Sequence, residues 1–178
     1  MKRSKQIALV TMGVSALALS ACSEAQTEAA VYATLEECQS DAVLSQEQCA
    51  AAFKQAKSEH AQVAPKYTSK ADCEADFGEE KCETAPYRSS SGSSVFMPLM
   101  VGYMMGRTMG AGGVHPQPLY RSRDDAKTFR TADNKKVGAK TGLLKVPKSS
   151  TVRPSSKMFT VARGGFGASG RSYGSRGG

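Results

Sequence analysis

Two stretches of the sequence, Tyr32-Ala-Thr-Leu-Glu-Glu-Cys38 and Tyr67-Thr-Ser-Lys-Ala-Asp-Cys73, share a tyrosine, five further residues and a cysteine. A second cysteine follows each stretch, at Cys49 and at Cys82, so the region has the form of an imperfect internal repeat. An even number of cysteines in a short exported region is typical of a disulfide framework. A repeated unit most simply closes on itself, and the pattern therefore predicts one local disulfide in each copy.

The local pairing joins Cys38 to Cys49 and Cys73 to Cys82. Loops this short stabilise a fold by up to about 3 kcal/mol each in the chain-entropy model. Two alternatives stay open at this point: crossed disulfides between the two copies, and a zinc site made by all four thiolates. The zinc alternative lacks the Cys-x2-Cys spacing that is typical of such sites.

Helix-start signals surround these cysteines. Three pairs match the capping box or its acidic variant, namely Thr34 with Glu37, Ser45 with Gln48, and Ser69 with Asp72. They predict short helices over 35–41, 46–61 and 70–77, and Gly78 follows the third as a helix stop. The predicted core of this acidic helical domain, 22–86, is small: Tyr32, Leu35, Leu44, Phe53, Val63, Tyr67 and Phe77.

The start of the chain has the three parts of an export signal. A basic beginning, Met1-Lys2-Arg3-Ser4-Lys5, precedes an apolar run from Ile7 to Leu19 that is too short to span a bilayer. The run ends in Leu19-Ser20-Ala21-Cys22, which resembles the lipobox of bacterial lipoproteins. We expect a signal peptide over 1–21 and acyl chains on Cys22, although an ordinary cleaved signal or a short buried helix also fits. By resemblance to the sorting rules of bacterial lipoproteins, Ser23 in place of Asp implies the outer membrane facing the periplasm.

Charge divides the mature chain. Residues 23–86 hold 5 Lys+Arg and 13 Asp+Glu, a net charge of −8, whereas residues 87–178 hold 16 and 3, a net charge of +13. Such asymmetry favours separate bodies over a single globule. We therefore expect a linker over 87–94, an apolar Met/Gly-rich helix over 95–114 and a basic Gly/Ser-rich tail over 115–178.

The Met/Gly-rich helix is predicted from glycines at every fourth residue. Gly102, Gly106 and Gly110 form a bare ridge, with Met97, Met100, Val101 and Met104 on the opposite face. Small residues at this spacing let two helix backbones approach closely. The segment is therefore expected to pack on an envelope protein or on a second copy. Alternatives are a helix in the membrane interface, with Arg107 reaching the head groups, or a weak membrane span.

A sharper alternative for the same segment is a copper site. Thioethers suit Cu(I), and the segment offers several near His115: Met97, Met100, Met104, Met105 and Met109. Methionine is also an ordinary filler of apolar surfaces. We otherwise interpret His60 and His115 as surface histidines without a role.

The basic tail has the low hydrophobicity and high charge of a disordered segment. Two short pieces, 143–146 and 158–161, could be extended and pair as a hairpin. The end, from Arg163 to Gly178, is similar to the Arg-Gly-Gly segments of RNA-binding proteins, but an export signal argues against nucleic acid. We expect the tail to contact anionic lipids or other anionic envelope polymers.

The sequence offers no recognisable nucleophile paired with a base and no metal triad. We therefore expect a mainly α protein, without catalytic residues, cofactor or resident metal, that is a membrane-anchored structural or interaction protein of the envelope. The alternative function is a periplasmic Cu(I)-binding protein that uses the Met-rich segment.

Several motifs together resemble the YgiB-like family of uncharacterised Gram-negative lipoproteins. They are the lipobox, the two Tyr-x5-Cys stretches, Ala64-Pro65-Lys66-Tyr67, the block from Phe96 to Arg107, Gln117-Pro118-Leu119-Tyr120, and the terminal Val161 to Gly167. The resemblance covers nearly the full chain, and Met97-Pro98-Leu99-Met100 is its most specific part. The chain differs from the family pattern mainly in its shorter linkers and its shorter tail. The resemblance implies an envelope protein with no assigned reaction.

Overall fold

The computed structural model describes residues 24–106, 115–156 and 166. The described chain forms a six-stranded antiparallel sheet, a two-stranded sheet, three α-helices and a short 3-10 helix. The elements are β1 (Gln26–Tyr32), α1 (Leu35–Ser40), α2 (Gln46–Val63), α3 (Lys70–Phe77), β2 (Cys82–Arg88), β3 (Ser94–Pro98), β4 (Gly102–Met105), β5 (Gln117–Ser122), β6 (Asp125–Arg130), β7 (Lys136–Gly138), β8 (Gly142–Pro147) and the 3-10 helix (Lys148–Thr151).

The large sheet joins distant parts of the chain. Its strand order is β7-β6-β5-β4-β1-β8, and its two outer strands contact each other, so the sheet is nearly closed. In β1, Tyr32 is paired with Tyr103 of β4, and Gln26 is paired with Pro147 of β8. The acidic region, the Met/Gly-rich segment and the basic region therefore each contribute strands to the same sheet.

The three helices begin where the capping signals predict. The Thr34 hydroxyl accepts from the Glu37 amide at 3.1 Å, and the Ser45 hydroxyl accepts from the Gln48 amide at 3.2 Å. In the second box, the Gln48 side chain also accepts from the Ser45 amide. Gly78 ends α3 with a φ of +105°, which glycine adopts without strain. These helix predictions are confirmed to within two residues at each end.

Both disulfides are local. Cys38 is bonded to Cys49, and Cys73 is bonded to Cys82, with Cα–Cα distances of 5.8 and 6.2 Å. The first bond joins α1 to the start of α2, and the second joins α3 to the start of β2. The repeat therefore predicted the pairing, and neither crossed disulfides nor a four-thiolate zinc site is formed.

The prediction of a mainly α fold is wrong, because the fold is mainly β. In place of the predicted helix over Val95–Val114, residues Ser94–Pro98 and Gly102–Met105 form strands. Every residue of β4 is buried, so its side chains lack the polar-apolar alternation that indicates a strand. Gly102 is needed for close packing, since a Cβ there would lie 2.8 Å from the Tyr32 carbonyl oxygen. Residues 107–114, which include Gly110 and Met109, lie outside the described residues.

The prediction of a largely disordered tail is also wrong for residues 115–156, which form β5 to β8 and the 3-10 helix. The 143–146 piece is extended, but it is paired with β1. The 158–161 piece lies outside the described residues. Further along the chain, the Phe166 side chain is 1% exposed and its ring centre lies 4.9 Å from that of Phe77.

The core consists of three clusters of buried side chains. One lies around Tyr67 and Phe77, one under α1 and α2, and one around Leu119 and Phe129. Of the predicted core, Leu35 and Phe53 are only partly buried, and the others are buried: Tyr32, Leu44, Val63, Tyr67 and Phe77. Across the described parts of the chain, no helix combines the length and the apolar character that crossing a bilayer requires.

Candidate functional site: a cleft beside His60

A cleft of about 370 Å³ opens between α2 and the strands that flank it. Its walls come from the turn between β1 and α1, from the start of α1, from α2, from β2 and from the connection between β3 and β4. The lining combines apolar and charged side chains: Ala33, Thr34, Leu35, Glu36, Phe53, Lys57, His60, Glu83, Leu99 and Met100.

Helix α2 places three residues on the cleft. Phe53, Lys57 and His60 lie at helical spacings of four and three, which keeps them on one side of the helix. An adjacent stripe is buried against the sheet and the other helices: Cys49, Ala52, Ala56, Glu59, His60 and Val63. His60 lies where the two stripes meet, so its ring is buried but one edge reaches the cleft.

His60 connects β5 to the mouth of the cleft. Its Nε2 lies 2.9 Å from Glu83 Oε1, and its Nδ1 lies 2.9 Å from the Tyr120 hydroxyl oxygen. A carboxylate oxygen only accepts, so Nε2 carries the proton and donates it to Glu83. The Nδ1 of the neutral ring then accepts from the Tyr120 hydroxyl. Tyr120, His60 and Glu83 thus form a directed hydrogen-bond chain from the core to the cleft.

Burial keeps this chain neutral at its inner end. Desolvation lowers the pKa of His60, and the neighbouring Glu83 offsets only part of that shift. Desolvation also raises the pKa of Tyr120 well above its usual value. Glu83 is the exposed end of the chain, because 42% of its side chain is accessible. The cleft therefore presents an oriented carboxylate next to an apolar floor.

A buried acid, Glu59, lies on the other side of α2. Glu59 is 3% exposed, and its Oε1 accepts from Arg153 Nη2 at 2.6 Å and from His115 Nε2. Its Oε2 is buried without a hydrogen-bond partner among the described residues. These contacts tie α2 to the residues that precede β5 and to those that follow the 3-10 helix. His115 is partly buried and His60 is buried, with 6% exposure, so neither is the surface histidine that the sequence suggested.

The structure distributes the residues that the sequence grouped as a packing or copper site over several parts of the core, with only Met100 and Met105 in one cluster among those described. Met97, Met104 and Met105 are buried in three different core clusters, and Met100 alone of the described methionines in this group lines the cleft. Gly102 and Gly106 are buried. Within 24–106, 115–156 and 166, no three His, Cys, Asp or Glu side chains lie close enough to hold a metal ion. Cys22 and Gly110 lie outside the described residues.

His60, Glu83 and Tyr120 were not predicted from the sequence to be members of one site. A signal for His60 was present, because it follows Ala56 by four residues on the face of α2 that carries Cys49. No comparable signal existed for Glu83 or Tyr120, since only the sheet topology brings β2 and β5 to α2.

The fold and the cleft define a disulfide-bonded, mainly β protein with an oriented carboxylate at a ligand-sized opening. A family model described as "Protein of unknown function (DUF1190)" matches residues 26–177. The chain therefore belongs to this family, which is the YgiB-like family that its motifs resemble.

Relatives are found across enterobacteria. The chain is 40% identical to the UPF0441 protein of Erwinia tasmaniensis, over 93% of this chain and 82% of that protein. It is 36% identical to the UPF0441 protein of Serratia proteamaculans, over 94% and 83% of the two chains. A UPF0441 protein of Klebsiella pneumoniae is 32% identical over 93% and 82%. No solved structure matches the chain. These relatives and the chain belong to one family, but none of the relatives' names states an activity.

Proposed function

We propose that this protein is a lipoprotein of the cell envelope, anchored through Cys22 in the outer membrane and facing the periplasm. The basic start, the apolar run and the lipobox that ends at Cys22 support the anchor. The two disulfides support an oxidising compartment, since such bonds persist outside the reducing cytosol. Ser23 supports the outer membrane over the inner one.

The intact mass of the protein extracted from envelopes tests this anchor. The expected mass is that of a chain beginning at Cys22 with acyl chains attached and four oxidised cysteines. An intact Met1, or four free thiols in a sample alkylated at lysis, would contradict the proposal.

We further propose that the protein acts by binding a ligand or partner rather than by catalysis. The observation that carries this proposal is the oriented Glu83 carboxylate at the cleft. His60 resembles a catalytic base in position, but both of its ring nitrogens are already engaged, by Tyr120 and Glu83. The histidine therefore positions Glu83, and the apolar side chains of Phe53, Leu99 and Met100 supply contact area beside it.

Photo-crosslinking in intact envelopes tests the binding role. A photoreactive residue replaces Lys57, which lines the cleft, and in a matched strain it replaces Lys54, which is exposed one turn earlier on α2. We expect a discrete crosslinked product from position 57 that is absent from position 54 and lost in Glu83→Gln. Identical products from the two positions, or a product unaffected by Glu83→Gln, would count against the cleft.

A further inference from the structure

The beginning of β1 determines where a Cys22 anchor leaves the folded body. The Ala25 carbonyl accepts from the Lys148 amide at 2.8 Å, and the Glu24 carboxylate accepts from the Ser149 amide at 3.1 Å. Gln26 follows Cys22 by four residues, which reach at most about 14 Å when fully extended. Acyl chains on Cys22 would therefore hold the start of β1 and the end of β8 close to the bilayer.

This end of the sheet, which we name the anchor end, comprises residues 24–28, 135–136 and 145–152. Its lysines come from several elements. Lys145 and Lys148 are exposed, and neither makes an ion pair with a described residue. The Lys135 ammonium donates to the Ser149 carbonyl at 2.8 Å, which places β7 at the same end, and Lys136 beside it is exposed.

The anchor end also carries an exposed apolar side chain and a minority of acids. Val152 directly follows the 3-10 helix and is 60% exposed, the largest exposure of any large apolar side chain among the described residues. The acidic side chains are Glu24, which is held by Ser149, and Glu28, which lies opposite Lys145. Asp125 interacts with Lys136 but is itself paired with Arg130, so the four lysines still outnumber the carboxylates and the surface is positive.

We propose that the anchor end is a membrane-docking surface, on which Lys145 and Lys148 contact the phosphates of anionic phospholipids and Val152 enters the head-group boundary. Lysines attract anionic lipids over a Debye length, and an adjacent apolar side chain adds buried area. The inference rests on the proposed Cys22 anchor, because the anchor supplies the proximity. Docking would hold the body directly on the bilayer instead of on a tether.

Lysine footprinting tests the surface on the natively acylated, full mature protein. The protein is reconstituted into vesicles of phosphatidylcholine alone, or of equal parts phosphatidylcholine and phosphatidylglycerol, and treated with an amine-acetylating reagent. We expect modification of Lys145 and Lys148 to slow about five-fold on the anionic vesicles. Lys70 and Lys81, which lie in and after α3, are exposed internal controls and should react equally on both.

The protection should disappear at high salt, because it depends on screened charges. Protection that persists at high salt would overturn the docking surface. So would modification rates of Lys145 and Lys148 that are the same on the two kinds of vesicle. The acyl mass of the same sample separates the two proposals. Acylated protein with unprotected lysines defeats the surface alone, whereas protein without acyl chains defeats the anchor and the docking that rests on it.

Discussion

The helical side of the protein and its large sheet are stabilised by different kinds of contact. On the helical side, two disulfides close loops with sequence separations of 11 and 9 residues, and each helix begins at its own side-chain cap. The sheet pairs β1 with β4 and β8, which lie far apart in the chain, and among the described residues no disulfide joins its strands. Order on the helical side is therefore largely local, whereas order in the sheet requires most of the chain.

We expect the greatest loss of stability from a change at a buried aromatic side chain of the large sheet, Phe129 on β6. Phe129 is fully buried, and the Arg121 guanidinium lies 4.0 Å from its ring centre. Phe129→Ala should lower the free energy of unfolding by about 4 kcal/mol, because it removes buried area and leaves a cavity. The matched change on the helical side is Phe53→Ala, at a partly buried ring, and it should cost less. Urea unfolding measures both free energies. A smaller loss of stability for Phe129→Ala than for Phe53→Ala would contradict the different roles of the two sides.

The next prediction concerns the local disulfide between Cys38 and Cys49 on the helical side. The double change Cys38→Ala and Cys49→Ala should lower the free energy of unfolding by about 3 kcal/mol, because it releases loop entropy in the unfolded chain. Hydrogen exchange should show the loss first in α1 and at the start of α2, with β8 still protected. Equal loss of protection in β8 would show that this disulfide supports the sheet directly.

Local signals made the helical side predictable from sequence. A cap and the residue three positions later lie within one turn, and a repeated cysteine spacing identifies its own partner. The strands carried fewer local signals in the sequence. Every residue of β4 is buried, so its one glycine, Gly102, and its two methionines matched a helix template as well as a strand. In the basic region, single side chains such as Phe129, Val137 and Val146 complete a core whose other members lie far away in sequence.

The candidate site was predictable only in part, for the same reason. Phe53 and His60 follow from the period of α2, which the sequence reveals. Glu83 and Tyr120 reach His60 because β2 and β5 lie against that helix, and a single sequence carries no signal for such distant pairing. Of the predicted packing residues, Met100 is the one that lines the cleft.

A smaller effect is expected at a helix start. The Ser45 hydroxyl and the Gln48 side chain form a reciprocal capping box at the beginning of α2. Ser45→Ala should lower the free energy of unfolding by about 1 kcal/mol. Ser58→Ala, at an exposed position within the same helix, should cause no loss, because alanine is the better helix former. Equal urea midpoints for the two variants would argue against the cap as a local stabiliser.

The smallest expected effect is a pH dependence at His60, which joins the two sides by contacting both Glu83 and Tyr120. Burial lowers the pKa of this histidine below its ordinary value of 6.5, so the unfolded chain binds more protons between the two pKa values. The free energy of unfolding should therefore decrease as the pH falls below about 6.5. The effect is small because Glu83 offsets part of the burial.

The variant His60→Gln isolates this contribution, since it keeps a hydrogen-bond donor and acceptor but does not titrate. Urea midpoints are compared for wild type and variant on either side of the histidine pKa. We expect the wild type to lose more stability than the variant on acidification. Parallel pH profiles would mean that His60 does not couple to folding.

The acidic and basic halves of the chain fold together through one sheet. Native-state hydrogen exchange on the intact protein tests this joint folding most directly, by comparing the paired amides of β1, β4 and β8. We expect these three strands to exchange with a common free energy of opening, close to that of global unfolding. Rapid exchange in Gly142–Pro147 alongside slow exchange in α2 would contradict it, because the basic half would then be independent of the disulfide-bonded half.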